Sequence, residues 1–308
     1  MSRTRKTTIE EIRKGSRELV RELDVVNGVY LGTGYTLTQC HVLYELASYR
    51  KLGLMELADN LLTDKSNTSR TVKKLIELGL VKSEKAVKDN RQKFFSLTAA
   101  GKKALAETIH LADEQVENAL VFLSPQEQDR VIEGLALYGK ALRLSRQQAQ
   151  CAIRKIKQAD NAQIARIIRD VMSEFGAVGA GYSEADAEVD DIYGSYRGKR
   201  CCYWVVELEG KVVGGGGIAP LVGGNESMCE LRKMFFLSKV RGIGMGKRLL
   251  NLLVNEARKR EYSSCYIETL ARMESANALY QRFGFEPLSA PLGETGHNKT
   301  DCWYQMKL

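Results

Sequence analysis

The chain has 308 residues, more than one ordinary domain needs, and a length prior gives about two domains. Its formal charge is +8, no apolar run reaches membrane-spanning length, and Met1-Ser2-Arg3-Thr4-Arg5-Lys6 lacks the apolar core of a signal peptide. The seven cysteines (Cys40, Cys151, Cys201, Cys202, Cys229, Cys265 and Cys302) form no Cys-x-x-Cys pair and no metal-ligand spacing. The expectation is a reduced, cytoplasmic protein with no membrane association and no metal site.

In chain order, residues 9–23 read as a first helix. Residues 54–61 make a short helix with Leu54, Leu57, Ala58 and Leu61 inward. Thr63-Asp64 then turns the chain into a second helix, 65–78, with Val72, Leu75 and Ile76 apolar. Two short helices across such a turn form a helix-turn-helix, whose second helix enters the DNA major groove by its N-terminal residues. Here these are Ser66, Asn67, Thr68, Ser69 and Arg70. Between Lys65 and Lys103 eleven Lys/Arg stand against three acids, a local +8 that equals the charge of the whole chain. A charge run is usually a solvated face. On this frame, Lys65, Lys73, Lys74 and Lys93 become candidates for contact with DNA.

Residues 82–98 read as a β-hairpin with a charged tip, Asp89-Asn90-Arg91, after which Thr98-Ala99-Ala100-Gly101 starts a long helix, 101–122. A further helix runs from 125 to 144, with Ser124 as cap, Pro125 in its first turn and Glu127 at its third position. The Asp89-x-Arg91 tip followed by Leu97-Thr98-x-x-Gly101 resembles the winged helix-turn-helix of the MarR family of bacterial transcription regulators, over roughly residues 8–145. That resemblance implies double-stranded DNA as partner, with Arg70 at the major groove, Arg91 in the minor groove and Asp89 holding the wing tip. It also implies a homodimer paired through the terminal helices. The domain boundary falls at 145–151, giving domains 1–146 and 151–308. The Gln147-Gln148-Ala149-Gln150 stretch has no Pro or Gly and reads as a linker or a helical continuation.

The second half opens with a strand at 153–156 and an amphipathic helix to 175, for which Asp160 is a candidate cap. Strands at 201–209 and 211–221 meet at a tight Glu209-Gly210 turn, and the glycine run 214–217 suggests a bulge or a close backbone approach. A strand at 230–237 feeds Arg241-Gly242-Ile243-Gly244-Met245-Gly246-Lys247. This loop opens a helix with Leu249, Leu250, Leu253 and Val254 on one face. A strand at 265–270, a helix at 274–283 and a strand at 303–308 complete the chain. Unpaired N–H groups at a helix N-terminus converge on an anion, and glycine lets the main chain come close. A P-loop would need Ser or Thr where Arg248 stands, and in a dinucleotide motif the third glycine would come later than Gly246.

Arg241-x-x-Gly244-x-Gly246 resembles the pyrophosphate loop of the GNAT superfamily of acetyl-CoA-dependent N-acetyltransferases, and Ala276-x-x-Leu279-Tyr280-x-x-x-Gly284-Phe285 resembles its second signature. The resemblance spans most of residues 151–308. It implies an α/β domain with a central mixed, mostly antiparallel sheet, so that the whole chain is multidomain: a mainly α winged helix-turn-helix domain, then a GNAT domain. It implies acetyl-CoA as cosubstrate, held by the 241–247 loop and by the backbone of Met234 and Phe236. It places Glu230 as general base and Tyr280 as the acid that protonates the leaving thiolate. One position departs from the pattern: Met273 stands where the family often has an asparagine that contacts CoA. The expected acceptor is a small-molecule amine or an amino acid. His297 beside Gly296 and Asn298 reads as an ordinary loop residue, and Tyr182, Tyr193 and Tyr196 lie in segments that could cover the acceptor mouth.

The leading reading is a DNA-binding transcription regulator fused to a working acetyltransferase. Two alternatives stand beside it: a regulator that only senses acetyl-CoA, or a dimeric acetyltransferase that binds no DNA.

Overall fold

The computed structural model of the chain describes residues 4–26, 28–85 and 93–308. Asp89 and Arg91, the wing-tip candidates, lie outside the described residues. The chain divides into two compact units, Met1–Ile132 and Glu133–Leu308.

The first unit begins with α1 (Arg5–Glu22), which buries none of its own residues. Next comes α2 (Leu37–Tyr49), which the sequence reading did not identify. Its start is a reciprocal cap: Gln39 N–H donates to Thr36 Oγ1 at 3.2 Å and Thr36 N–H to Gln39 Oε1 at 2.8 Å. From α2, Val42, Leu43 and Leu46 enter a core with Leu57, Val72 and Leu75. These last belong to α3 (Leu54–Leu61) and α4 (Lys65–Glu77), the two helices of the helix-turn-helix. A short β1 (Leu52–Gly53) joins β2 (Val81–Lys85) and β3 (Lys93–Leu97) in an antiparallel sheet of order β1-β3-β2.

The Leu-Thr-x-x-Gly sequence has a physical reason here. Thr98 caps α5 (Ala99–Leu120) by accepting from Gly101 N–H at 3.0 Å, and its own N–H reaches Leu80 O at 3.0 Å. A Cβ on Gly101 would lie 2.0 Å from that same Leu80 oxygen. Only glycine lets α5 sit this close to the strand. Helix α6 (Pro125–Ala149) starts with Glu127 Oε2 accepting from Ser124 N–H at 2.9 Å, continues past the expected end, and leads directly into β4.

The second unit is built on a seven-stranded sheet of order β4-β5-β6-β7-β8-β10-β9. The strands are β4 (Cys151–Lys155), β5 (Cys202–Leu208), β6 (Lys211–Pro220), β7 (Met228–Phe236), β8 (Ser264–Thr269), β9 (Glu286–Pro287) and β10 (Cys302–Lys307). Only β7 and β8 pair in parallel; the other neighbours are antiparallel. Helices α7 (Asn161–Glu174) and α8 (Ile192–Ser195) contribute to one core with Tyr203, Val205 and Val212. Helices α9 (Met245–Lys259) and α10 (Glu274–Phe283) contribute to the other, with Val206, Val213 and Leu231. Burial on both faces explains why β6 is apolar from Val212 to Ala219 without alternation.

Two local readings resolve differently. Glu209 and Gly210 both have positive φ, the geometry that a two-residue hairpin turn requires. Asp160, by contrast, makes no side-chain cap on α7. Its carboxylate instead accepts from both terminal nitrogens of Arg154 (2.7 and 3.0 Å) and from Lys157 N–H, because an arginine fork competes better for it than a helix end.

Candidate active site

The site opens where two strands part. Parallel pairing of β7 and β8 runs from Met228/Ser264 to Leu231/Ile267 and stops, while β7 continues to Phe236 and β8 to Thr269. A bulge drives the divergence: Gly215 faces Phe235 and Gly217 faces Arg232, so Lys233 and Met234 together stand opposite Gly216. Lys233 has φ 52°, and its carbonyl accepts from buried Tyr203 OH at 3.0 Å. The glycine run makes this packing fit. A Cβ would lie 2.7 Å from a Tyr203 ring carbon at Gly215, 2.9 Å from Met234 Cγ at Gly216, and 2.7 Å from a Tyr196 ring carbon at Gly217.

Beyond β7 lies the glycine loop. Gly242 (φ 74°) and Gly244 (φ 84°) hold left-handed turns that bring the chain into α9. The N-terminus of α9 has no side-chain cap and no acid in its first turn, so its N–H groups and dipole suit an anion. A Cβ at Gly242 would meet nothing within 4 Å, whereas at Gly246 it would lie 3.2 Å from Leu279 Cδ2 of α10. The arginine of the motif has a positioning role. Arg241 Nε donates to Phe236 O at 2.7 Å, and its two terminal nitrogens clasp Glu174 at 2.6 and 2.7 Å. Gln148, at the end of α6, donates to Ile243 O at 3.3 Å. Met245 is buried, while Lys247 stands exposed at the loop's edge.

A cavity of about 70 Å³ lies in the fork between β7 and β8, lined by Glu230, Lys233, Met234, Glu268, Met273, Tyr280 and His297 among others. Glu230 is 2% exposed, and Arg232 Nε donates to it at 2.6 Å. Burial pushes its carboxyl above the usual range, and the Arg232 charge opposes that. Around it stands a network that the sequence did not reveal. Lys233 pairs with Asp186 and, at 3.3 Å, with Glu188. His297 Nε2 lies 2.8 Å from Asp186 Oδ2, and its Nδ1 lies 3.0 Å from Glu268 Oε2. Glu268 also accepts from Tyr266 OH at 2.8 Å and from Thr295 Oγ1 at 3.0 Å. Glu230, Glu268 and His297 offer atoms within 4.8 Å of one another.

Tyr280 is buried on α10, edge-on to Phe285 at 6.0 Å between centroids. Burial raises its phenol far above its ordinary value, so it remains a proton donor. The rest of its signature shapes the helix end: Gly284 takes φ 104°, and Phe285 N–H returns to Tyr280 O at 3.0 Å. Asn277 does not take over the role of the position held by Met273. Its amide holds Leu270 O at 2.8 Å and Met273 O at 3.0 Å, while its carbonyl accepts from Tyr304 OH.

In the first unit, Asp64 caps α4 by accepting from Asn67 N–H at 2.8 Å. Lys65, Ser66, Asn67, Ser69, Arg70, Lys73 and Lys74 are exposed along the helix, as is Lys93 on β3. Arg70 donates to Asn67 Oδ1 at 3.2 Å. Thr68 is the correction: it is 1% exposed and bonds to Thr63 Oγ1 at 2.8 Å, so it belongs to the core and not to a groove-facing surface. A hollow of about 710 Å³ among α3, α4, β2 and β3 is lined by Lys65, Ser69, Lys73, Lys93 and Phe94, among others. Among the described residues, no helix is long and apolar enough to cross a membrane.

A forked sheet, a glycine-led helix start, and a cavity lined by a buried carboxylate and a buried tyrosine fit an acyl-CoA-dependent transferase. The chain belongs to the GNAT acetyltransferase family: that family's profile matches residues 164–285, and the MarR family's profile matches residues 35–93. It is an acetyl-CoA-dependent N-acetyltransferase with a MarR-type winged helix-turn-helix ahead of the catalytic domain. The second half is 45% identical over 155 residues to the uncharacterized N-acetyltransferase YjgM of Escherichia coli K12, covering 50% of this chain and 92% of that protein. It is 40% identical over 86 residues to an N-acetylaspartate synthetase of Xenopus tropicalis, covering 28% of this chain and 31% of that one. A solved GNAT acetyltransferase from Staphylococcus aureus Mu50 shares 17% identity at a TM-score of 0.46, covering 51% of this chain and 98% of that chain.

Proposed function

We propose that the protein is bifunctional, a dimeric DNA-binding transcription regulator of the cytoplasm that also acetylates a small-molecule amine or amino acid. The observation that carries the catalytic reading is the convergence of Glu230 and Tyr280 on one cavity at the β7/β8 fork. Acetyl-CoA supplies the thioester. The uncapped α9 start, with open space at Gly242, fits its pyrophosphate through the N–H groups of residues 242–247. The β7 backbone at Met234 and Phe236 fits the pantetheine arm as an added strand, with Phe236 O already held by Arg241.

The acceptor must lose a proton before it attacks. An α-amine with pKa near 8 costs about 1.4 kcal/mol to deprotonate at neutral pH, and a lysine-like amine near 10.4 about 4.6. Glu230, with its raised proton affinity, takes that proton directly or through water. The C–N bond forms, the C–S bond breaks, and Tyr280 protonates the departing thiolate. An amino acid is favoured as acceptor by the similarity to N-acetylaspartate synthetase.

For the first half, the exposed polar front of α4 and the Lys65–Lys103 cations support DNA binding. Ile9, Ile12, Leu19 and Val20 on α1, with Ile132, Leu135 and Leu142 on α6, are exposed apolar groups that a second copy would cover. The functional division lies at the end of α6, between residues 146 and 151. Two measurements test this reading: a mass-spectrometric product screen with acetyl-CoA and a panel of amines and amino acids, and selection from random duplexes. We expect an acetylated amino acid and an enriched near-palindrome. Absence of any acetylated product despite acetyl-CoA binding would favour the sensing role.

A further inference from the structure

The acceptor side of the cavity is assembled from parts far apart in the chain. Asp186 and Glu188 come from the segment between α7 and α8, Glu230 and Lys233 from β7, Glu268 from β8, and His297 from the segment before β10. His297 is the point where three of these parts meet. Its side chain is 8% exposed, and each ring nitrogen faces a carboxylate oxygen at hydrogen-bond distance. An ionised carboxylate accepts and never donates. A neutral imidazole has one N–H and one lone pair, so it satisfies one such partner and repels the other. Two ionised carboxylates therefore demand the imidazolium, with both N–H groups donating.

We propose that His297 is a positioning residue for acetyl transfer: as an imidazolium bridging Glu268 and Asp186, it fixes the carboxylate pair Glu230 and Glu268 that receives the acceptor ammonium. This inference rests on the reading of Glu230 as base.

Its surroundings agree. Desolvation pulls the imidazole's proton affinity down, but the hydrogen bonds to Asp186 and Glu268 outweigh it and bring the pKa to about 9, against the charge of Lys233. The charged groups facing it from the neighbouring elements are Asp186, Glu268, Lys233 and, more distantly, Glu230. The bridge also acts on the base, because the His297 charge lowers the proton affinity of Glu230. The segment itself does not depend on the imidazole. Glu294 N–H donates to Val222 O, Thr300 Oγ1 to His297 O, and Ala271 N–H to Asp301 Oδ1. A His297 variant therefore keeps its fold.

The test uses the full chain with ¹⁵N-labelled histidine. There are three histidines, and His297→Gln assigns the signal by its loss. Both ring nitrogens of His297 should be protonated at pH 7.5, with a titration midpoint near 9. A neutral ring at pH 7.5 overturns the proposal whether or not an acceptor has been found. In steady-state kinetics His297→Gln should raise the acceptor KM about tenfold or more while acetyl-CoA affinity stays within twofold. Without the imidazolium the Glu230 carboxyl binds its proton more tightly, so the acidic limb of the kcat/KM profile should move to higher pH. A slower variant whose limb stays in place would show a packing residue only, and would contradict the proposal. If instead the wild type acetylates nothing in the panel, the catalytic reading fails, while the NMR result still decides the state of His297.

Discussion

Glu230, Tyr280 and His297 lie in one cavity, yet they differ in how the sequence announces them. Glu230 and Tyr280 sit at fixed distances from glycine motifs, so a local pattern carries them. His297 does not, because its partners come from residues 186 and 268 and only the fold brings them together. Thr68 was legible and was misread. It stands four and seven residues before the buried Val72 and Leu75, the spacing of one helical face. Tyr280→Phe should lower kcat by about 10²-fold with little change in KM, as loss of a general acid does; steady-state kinetics check this. Loss of His297 also has a thermal signature. Its folded pKa of about 9 exceeds the ordinary 6.5, so its bridge stabilises fully below pH 6.5 and is lost as pH rises through about 9. The melting temperature of the catalytic domain in wild type should exceed that of His297→Gln near pH 6, and the gap should close by pH 10. A constant gap would mean that the ring is not charged in the folded state.

At the scale of elements, most of the sheet and helices of the second unit were legible, because hydrophobic periods of 2 and 3.6 residues and glycine turns mark them. The fork between β7 and β8 was not, since strand order and the end of pairing are non-local. Helix α2 was missed although its Thr36-x-x-Gln39 start was visible; apolar residues such as Tyr44 and Tyr49 also stand on its exposed face, so its apolar period is weak. The glycine elements give sharp tests. Gly101→Ala places a methyl 2.0 Å from Leu80 O, and this overpacking should cost about 1–3 kcal/mol, read by denaturant unfolding of the winged-helix transition. Gly244→Val puts a β-branched residue at φ 84° beside Gln148. It should abolish acetyl-CoA binding by calorimetry and leave DNA binding intact. Unchanged acetyl-CoA affinity would remove the loop from the site.

At the scale of the whole molecule, a MarR-type domain and an acetyltransferase domain share one chain. If about three of the cations between Lys65 and Lys103 reach phosphates in each subunit, a dimer neutralises about six, and the log–log salt slope of DNA binding should be near −5. Arg70→Ala should relax preference at particular base positions, whereas Lys73→Ala should weaken binding to all sequences alike. The decisive measurement is acetyl transfer itself, in single turnover with an amino-acid acceptor and mass-spectrometric detection of product. The wild type should yield acetylated acceptor, and Glu230→Gln a rate about 10²-fold lower at neutral pH. Equal rates from the two proteins, or bound acetyl-CoA with no acceptor ever acetylated, would contradict it.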